Sequence, residues 1–264
     1  MEMLQSEWPF PQFVAFAYAL PRLLAMFSLI PMLSRQSLPG VLRVGVSGCI
    51  ALLVVPLLQE PAMAAERSAA MTILIVLKEM LIGAIIGFIA VIPFWAFESM
   101  GAIVDMQRGA NLAEVFNPLS QQETSPLGQM FSQAAVTFLF VTGGFAALLR
   151  AVYDSYRIWP VFQWRPVFSV ASPDLLLGQL DRLTSLAVLW GAPVICIMFL
   201  AELGLGLVSR FAPQLQVFFM AMPVKSALGV FTLAVYVTTL FEYADGEMRN
   251  LGVGIVGTLH DLFR

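Results

Sequence analysis

Six polar side chains interrupt the apolar sequence at residues 101–118, GAIVDMQRGANLAEVFNP: Asp105, Gln107, Arg108, Asn111, Glu114 and Asn117. Long apolar runs flank them on both sides. Such a segment can be a solvated loop, an active site or a part that moves. Asp105 and Arg108 stand at i,i+3, a spacing that lets them pair if the turn between them is helical. Catalysis would need a nucleophile with a base, and no such set is visible. The sequence has no HExxH, GxSxG, P-loop or HxE…CxxC pattern. Proteolysis by paired aspartates would need two Asp inside apolar runs, whereas Asp105, Asp154 and Asp174 fall in the polar breaks.

The other chemical signals are thin. His260 has no Cys or His near it, so no metal site is expected. Cys49 and Cys196 lie in apolar runs and read as small hydrophobes packed in helices. GVGIVG (252–257) matches a dinucleotide fingerprint in letters only, because no strand precedes it. No enzyme activity, cofactor or metal is expected.

The elements that hold the polar segment are set by composition. The chain is 59% hydrophobic and 12% charged, with a mean hydropathy of +0.84. A soluble domain is about 45–50% apolar and about 25% charged. Half the usual charge cannot cover a soluble surface, so the expectation is an all-α integral membrane protein. The net charge of −3 gives no reason to expect nucleic acid. The acidic N-terminus, MEMLQSEWPFPQF, lacks the basic start of a secretory signal, so the first apolar run should stay in the mature protein.

A spanning helix needs about 20 apolar residues. Six runs qualify, at roughly 12–33, 41–58, 71–97, 128–150, 183–208 and 215–241, and an amphipathic stretch, 243–263, closes the chain. Two polar breaks are long, 98–127 and 151–182. The second contains Trp159 and Trp164, so 153–168 reads as an interfacial or docking segment. Prolines at 21, 31, 56, 93, 193 and 223 predict bent or broken helices. Arg22, Lys78, Glu79, Glu98, Glu202 and Lys225 sit in or beside apolar runs. A charge at mid-bilayer costs about 2.5–3.5 kcal/mol, so these should face protein, a partner or water, with Glu98 snorkelling from a helix end. The positive-inside count conflicts with six spans, because Arg150, Arg157, Arg165 and Arg182 fall on the wrong side. One run is not a true span, or the insertion is not a simple serpentine. Gly83 and Gly87 in KEMLIGAIIGF, with Gly204 and Gly206 in LAELGLGL, mark close helix approach, within the chain or at a subunit interface.

Read in order, these blocks resemble the T-subunit family (SctT/FliR/SpaR) of the bacterial type III secretion export apparatus. The resemblance runs through LPRLLAMFSLIPMLSRQSLPGVLRVGVS (20–47), KEMLIGAIIGF (78–88), GAIVDMQRGANLAEVFNP (101–118), TGGFAALLRAVYDSYRIWPV (142–161) and AELGLGLVSRFAPQLQVFFMAMPVKSALG (201–229). Asp105, Gln107, Arg108 and Gly109, with Met222, Pro223, Lys225 and Ser226, resemble injectisome rather than flagellar members.

The resemblance implies a non-enzymatic subunit of an inner-membrane export gate, raised toward the periplasm. Its R-like half would cover about 1–170 and its S-like half about 171–264. A central loop, mapping to about 106–122, would plug the channel for unfolded secreted proteins. Asp105, Met106, Gln107, Arg108, Gly109, Asn111, Leu112, Val115, Phe116, Asn117 and Pro118 belong to that gate. Gly101, Gly109 and Pro118 would break the helix, and Val104, Leu112, Val115, Phe116 and Leu119 would supply apolar surface to close the pore. Lys78, Glu79, Gly83, Gly87, Glu202, Gly204, Gly206, Pro223, Lys225 and Ser226 would serve helix packing or subunit contacts. Implied partners are R-type and S-type subunits, the U-type switch subunit, the V-type export subunit, the inner rod and needle, secreted proteins in transit, and lipid. A small-solute secondary transporter is the alternative, drawing on broken helices and on Glu202 and Lys225.

Overall fold

The computed structural model describes residues 10–31, 39–58, 68–109, 125–164, 172–211 and 217–263. Its principal helices are α1 (Phe10–Leu29), α2 (Gly40–Leu52), α3 (Ala69–Arg108), α4 (Pro126–Val141), α5 (Gly144–Ile158), α6 (Ser172–Phe211), α7 (Val217–Arg249) and α8 (Leu251–Leu262). No strand occurs among the described residues. The chain divides into two compact units, one of 1–91, 143–179 and 249–264, the other of 92–142 and 180–248.

In the first unit the helix period selects the core. Ala15, Ala19, Leu23, Met26, Phe27 and Ile30 bury one face of α1. The facing residues of α3 are Ile75, Glu79, Ile82 and Ile86, again at i,i+3/i+4. Glycine sets how closely these helices approach. A Cβ at Gly83 would lie 2.1 Å from the Arg22 carbonyl oxygen, and one at Gly87 would lie 2.7 Å from that of Met26. Between membrane helices the gain comes from such packing and from hydrogen bonds, because lipid is as apolar as leucine. α2 packs on α1. α8 packs on α5, with Gly252 against the backbone of Ala147. The GVGIVG glycines are therefore helical, and Gly252 serves a helix contact.

In the second unit the centre is aromatic. Phe97 of α3 meets Trp190 of α6 at 4.5 Å between ring centroids, Phe241 of α7 at 5.5 Å and Phe131 of α4 at 6.4 Å. Such offset or tilted pairs are worth about 0.5–1.5 kcal/mol each beyond their buried area.

Several expectations change. Among the described residues four helices, not six, are long and apolar enough to cross a membrane, or five if α4 and α5 form one broken span. The second run becomes the 13-residue α2, too short to span, followed by a turn at 53–54. The fourth run divides at Gly143, whose φ of 76° lies in the left-handed region that a helix cannot continue through. Pro21, Pro93, Pro193 and Pro223 sit inside continuous helices, because packed membrane helices tolerate the lost backbone bond. The polar breaks shrink. α3 runs on to Arg108, so Glu98 is an exposed mid-helix residue rather than one near an end. Gly101 does not break α3. Trp159 is buried instead of interfacial, with its ring edge-on to Phe263. Cys49 and Cys196 are helical but exposed. The positive-inside conflict also acquires a cause: Arg150, Arg157 and Arg182 lie on helices α5 and α6, not in a loop.

Candidate functional site

The last turn of α3 and the first turn of α4 meet at one carboxylate. Asp105 is fully buried. Its Oδ1 lies 2.6 Å from Arg108 Nη2, the pairing that the i,i+3 spacing predicts once the turn is helical. Its Oδ2 accepts a bond from the Ser125 hydroxyl at 2.5 Å and one from the Leu127 backbone N–H at 2.9 Å. Ser125 is the N-cap of α4 and accepts the Gly128 N–H at 2.9 Å, with Pro126 opening the helix. The carboxylate thus sits at the positive end of α4, where unpaired N–H groups and the helix dipole favour an anion by about 0.3–1 kcal/mol. Charge-assisted bonds of this kind contribute about 1.5–3 kcal/mol each. One turn earlier on α3, a Cβ at Gly101 would lie 2.5 Å from the Gly128 nitrogen. Gly101 is there for close approach. Gly109 ends α3 in the left-handed conformation, with φ 82°.

Around this clasp, Met106, Gln107 and Arg108 are the final helical residues of α3, not loop residues. Gln107 donates to the carbonyl of Ile195 on α6 at 3.2 Å. Its Oε1 and Arg108 Nε are buried without a hydrogen-bond partner among the described residues. Val104 is buried in the second unit and offers no pore-closing surface. Asn111, Leu112, Val115, Phe116, Asn117, Pro118 and Leu119 lie outside the described residues.

A second polar centre is buried in the first unit. Arg22 and Glu79 are both fully buried, with Arg22 Nε donating to Glu79 Oε2 at 2.7 Å. Arg22 also donates to Ser155 Oγ at 3.0 Å and to the Trp159 carbonyl at 2.9 Å, and its guanidinium stacks 4.0 Å from the centre of the Tyr156 ring. Lys78 Nζ lies 3.0 Å from Glu79 Oε1 and donates to the carbonyls of Pro160, Val161 and Gln163. Two cations share one carboxylate, and backbone carbonyls at and just beyond the C-terminal end of α5 take up the excess positive charge. That is the negative end of a helix. These three charges face protein.

In the second unit, Lys225 Nζ lies 3.3 Å from Glu202 Oε2, linking α7 to α6. Arg182 pairs with Glu247. Among the described residues nothing lies within 4 Å of where a Cβ would stand at Gly204 or Gly206, unlike Gly83 and Gly87. Pro223 is exposed within α7, and Ser226 is half-buried. Sequence reasoning missed Ser125, Leu127, Gly128 and Ser155. Ser125-Pro126 carried a usable signal, an N-cap serine before an N1 proline.

A helical chain with four or five candidate spans among its described residues is a multi-pass integral membrane protein, and its buried charges hold helices together. Residues 13–251 match the model of the family described as bacterial export proteins, family 1, and the chain belongs to that family. It is 41% identical to "Yop proteins translocation protein T" of Yersinia pestis over 237 residues, covering 89% of this chain and 90% of that one. It is 34% identical to "Secretion system apparatus protein SsaT" of Salmonella typhimurium over 232 residues, covering 87% and 88%. It is 28% identical to "Flagellar biosynthetic protein FliR" of Bacillus subtilis over 253 residues, covering 93% and 96%. This is the T-subunit family that the ordered sequence blocks resemble. The protein is an export-apparatus component, not an enzyme, and identity is higher to these secretion-system relatives than to the flagellar one.

Proposed function

We propose that the chain is the T-type subunit of an injectisome-class export gate in the bacterial inner membrane, raised toward the periplasm. The segment that follows Gly109 acts as the channel plug. R-type and S-type subunits are its immediate neighbours, with about 1–170 R-like and about 171–264 S-like. The U-type switch subunit, the V-type export subunit and the inner rod and needle complete the apparatus. Unfolded secreted proteins pass when the plug is displaced.

The observation that supports the plug reading is the clasp. α3 ends at Arg108 and α4 begins at Pro126, and Asp105 binds both ends. Both ends of the proposed plug segment are thus held at one fixed base. Asn111, Leu112, Val115, Phe116, Asn117 and Pro118 then belong to the plug itself, while Asp105 to Gly109 form its base. Of the charges that would favour a small-solute carrier, Glu202 is paired with Lys225 at 3.3 Å.

Deleting residues 110–122 tests this reading while sparing α3 and the clasp. The assembled apparatus should then leak ions and small solutes. Unchanged conductance in a fully assembled complex would end the plug assignment.

A further inference from the structure

We propose that the outward face of α5 seats one two-chain anionic phospholipid, with its phosphate on Arg150 and its acyl chains in the two grooves that flank the helix. The site lies wholly within the first unit and does not depend on the plug reading. The faces of α5 are sharply divided. Leu148, Ala151, Val152, Ser155 and Tyr156 are buried. Arg150 and Arg157 are exposed on the opposite side, with Asp154 half-buried between them. Such charges are costly in hydrocarbon but are readily held at the depth of lipid headgroups. Half-buried Tyr153 on α5 and exposed Trp164 shortly beyond it are of the residue types that favour the same depth.

Shape and charge together select the ligand. One groove, of about 650 Å³, lies between α5 and the chain just past α2, with Leu53, Leu57 and Leu149 on its walls. Tyr153 lines it too and donates to the Ile50 carbonyl at 3.4 Å. The other groove, of about 660 Å³, lies between α5 and α8, with Ala147, Ala151, Val253 and Val256 on its walls. Both volumes are in the range of small-molecule sites, about 300–1,000 Å³. Gly257 keeps the second groove open, since nothing among the described residues lies within 4 Å of where its Cβ would stand. Arg150 and Asp154 line both grooves, so the two diverge from one charged crest. A polar head with two apolar chains has that shape, whereas a compact solute would occupy one groove only. The chains would also cover Leu53, Leu57 and Val253, which the protein leaves exposed. Three arginines, Arg150, Arg157 and Arg249, line these grooves against two aspartates, Asp154 and Asp261, and the excess favours an anion. Arg157 is tied to Asp154 at 3.7 Å, while Arg150 has no ion pair among the described residues. Its planar guanidinium can meet two phosphate oxygens at once, as arginines in basic pockets between membrane helices do for lipid headgroups.

The test uses the full chain, purified with whatever subunits accompany it, and counts retained lipid by native mass spectrometry. One lipid is offered at a time: phosphatidylglycerol, phosphatidylethanolamine, phosphatidylcholine, or the single-chain lysophosphatidylglycerol. The unaltered chain should retain phosphatidylglycerol about tenfold more tightly than the other three. Arg150→Gln should weaken that retention about tenfold, the effect of one lost charge-assisted contact, and Arg150→Lys should weaken it less. Gly257→Leu fills the second groove without meeting protein, so it should abolish the preference for two chains and leave retention of the single-chain lipid unchanged. If Arg150→Gln cannot be purified, Gly257→Leu decides. Equal retention of phosphatidylethanolamine or phosphatidylcholine overturns the anionic site, and so does Arg150→Gln holding phosphatidylglycerol as the unaltered chain does. Equal retention of one-chain and two-chain lipid by the unaltered protein overturns the two-groove seat, as does a two-chain preference that survives Gly257→Leu. In intact membranes a benzophenone side chain placed at Val253 should capture lipid. Capture of a neighbouring subunit with no lipid would make these grooves a protein interface and overturn the proposal.

Discussion

Arg22 and Glu79 stand 57 positions apart and meet with neither side chain exposed. Two full charges taken out of water repay their desolvation only when the geometry is good and every remaining donor is met. Here the guanidinium is met by a carboxylate, a hydroxyl, a carbonyl and a ring face. Removing one partner leaves the other charge stranded, at a cost of about 3–5 kcal/mol, whereas replacing both with apolar groups of similar size is often close to neutral. Arg22→Leu or Glu79→Leu alone should therefore sharply lower the melting temperature of the purified complex. The double variant should recover most of the loss, because Lys78 keeps its three carbonyls. A double variant as unstable as the sum of the singles would mean that the two residues act separately. The sequence showed that these charges must be buried against something, since lipid cannot hold them. It could not show against what, because Ser155 and the Trp159 carbonyl are 133 and 137 positions from Arg22. The Asp105–Arg108 pair was legible, being one helical turn long. Its partner Ser125 was not, although the Ser-Pro pair announced a helix start.

At the scale of elements, the small residues separate into two kinds that look alike in sequence. Gly83 and Gly87 meet the backbone of α1, while Gly204 and Gly206 meet nothing among the described residues. Backbone cannot swing aside as a long side chain can, so a methyl at position 83 must push α1 and α3 apart. Overpacking of this kind costs about 1–3 kcal/mol, and the shift would also stretch the Arg22–Glu79 bond one turn away. Gly83→Ala should thus destabilise the purified protein clearly. Gly204→Ala should leave its stability unchanged or raise it slightly, since alanine is the better helix former by about 0.8–1 kcal/mol. Equal effects would show that spacing alone, not contact, matters. Gly101 carries the same lesson. A glycine beside a polar segment reads as a breaker, but a helix broken at 101 would forfeit the contact with Gly128. Tertiary packing overrides the local signal there. At Gly109 and Gly143 the signal holds, and both adopt positive φ. Glycine alone does not say which of its two uses applies, because the difference lies in what approaches it.

For the whole molecule, the balance of buried and bare apolar surface is uneven. The spanning window of α3 is 56% buried, those of α6 and α7 only 28% and 22%. Phe199, Leu203 and Leu207 form an exposed apolar stripe at i+4 spacing along α6. Lipid could cover that stripe, but Glu202 stands beside it, with its side chain 54% exposed even while paired to Lys225. A half-exposed carboxylate on an apolar face cannot be left in hydrocarbon without a cost of about 2.5–3.5 kcal/mol. A protein surface that supplies a hydrogen bond removes that cost, and the proposed export gate of several helical subunits would supply such a surface. Expressed alone, the chain should therefore give low yields and aggregate in mild detergent. Co-expressed with the R-type and S-type subunits proposed as its neighbours, it should purify as a stable, monodisperse hetero-oligomer. A reactive label on a cysteine placed at Leu203, with Cys49 and Cys196 changed to serine, should be accessible in the lone chain and protected in the complex. If the lone chain is instead monodisperse, stable and able to bind a small solute, the uncovered faces belong to lipid and the carrier reading returns. Protection of position 203 only in the complex would place the partner subunits on the surface that the chain's own helices leave bare.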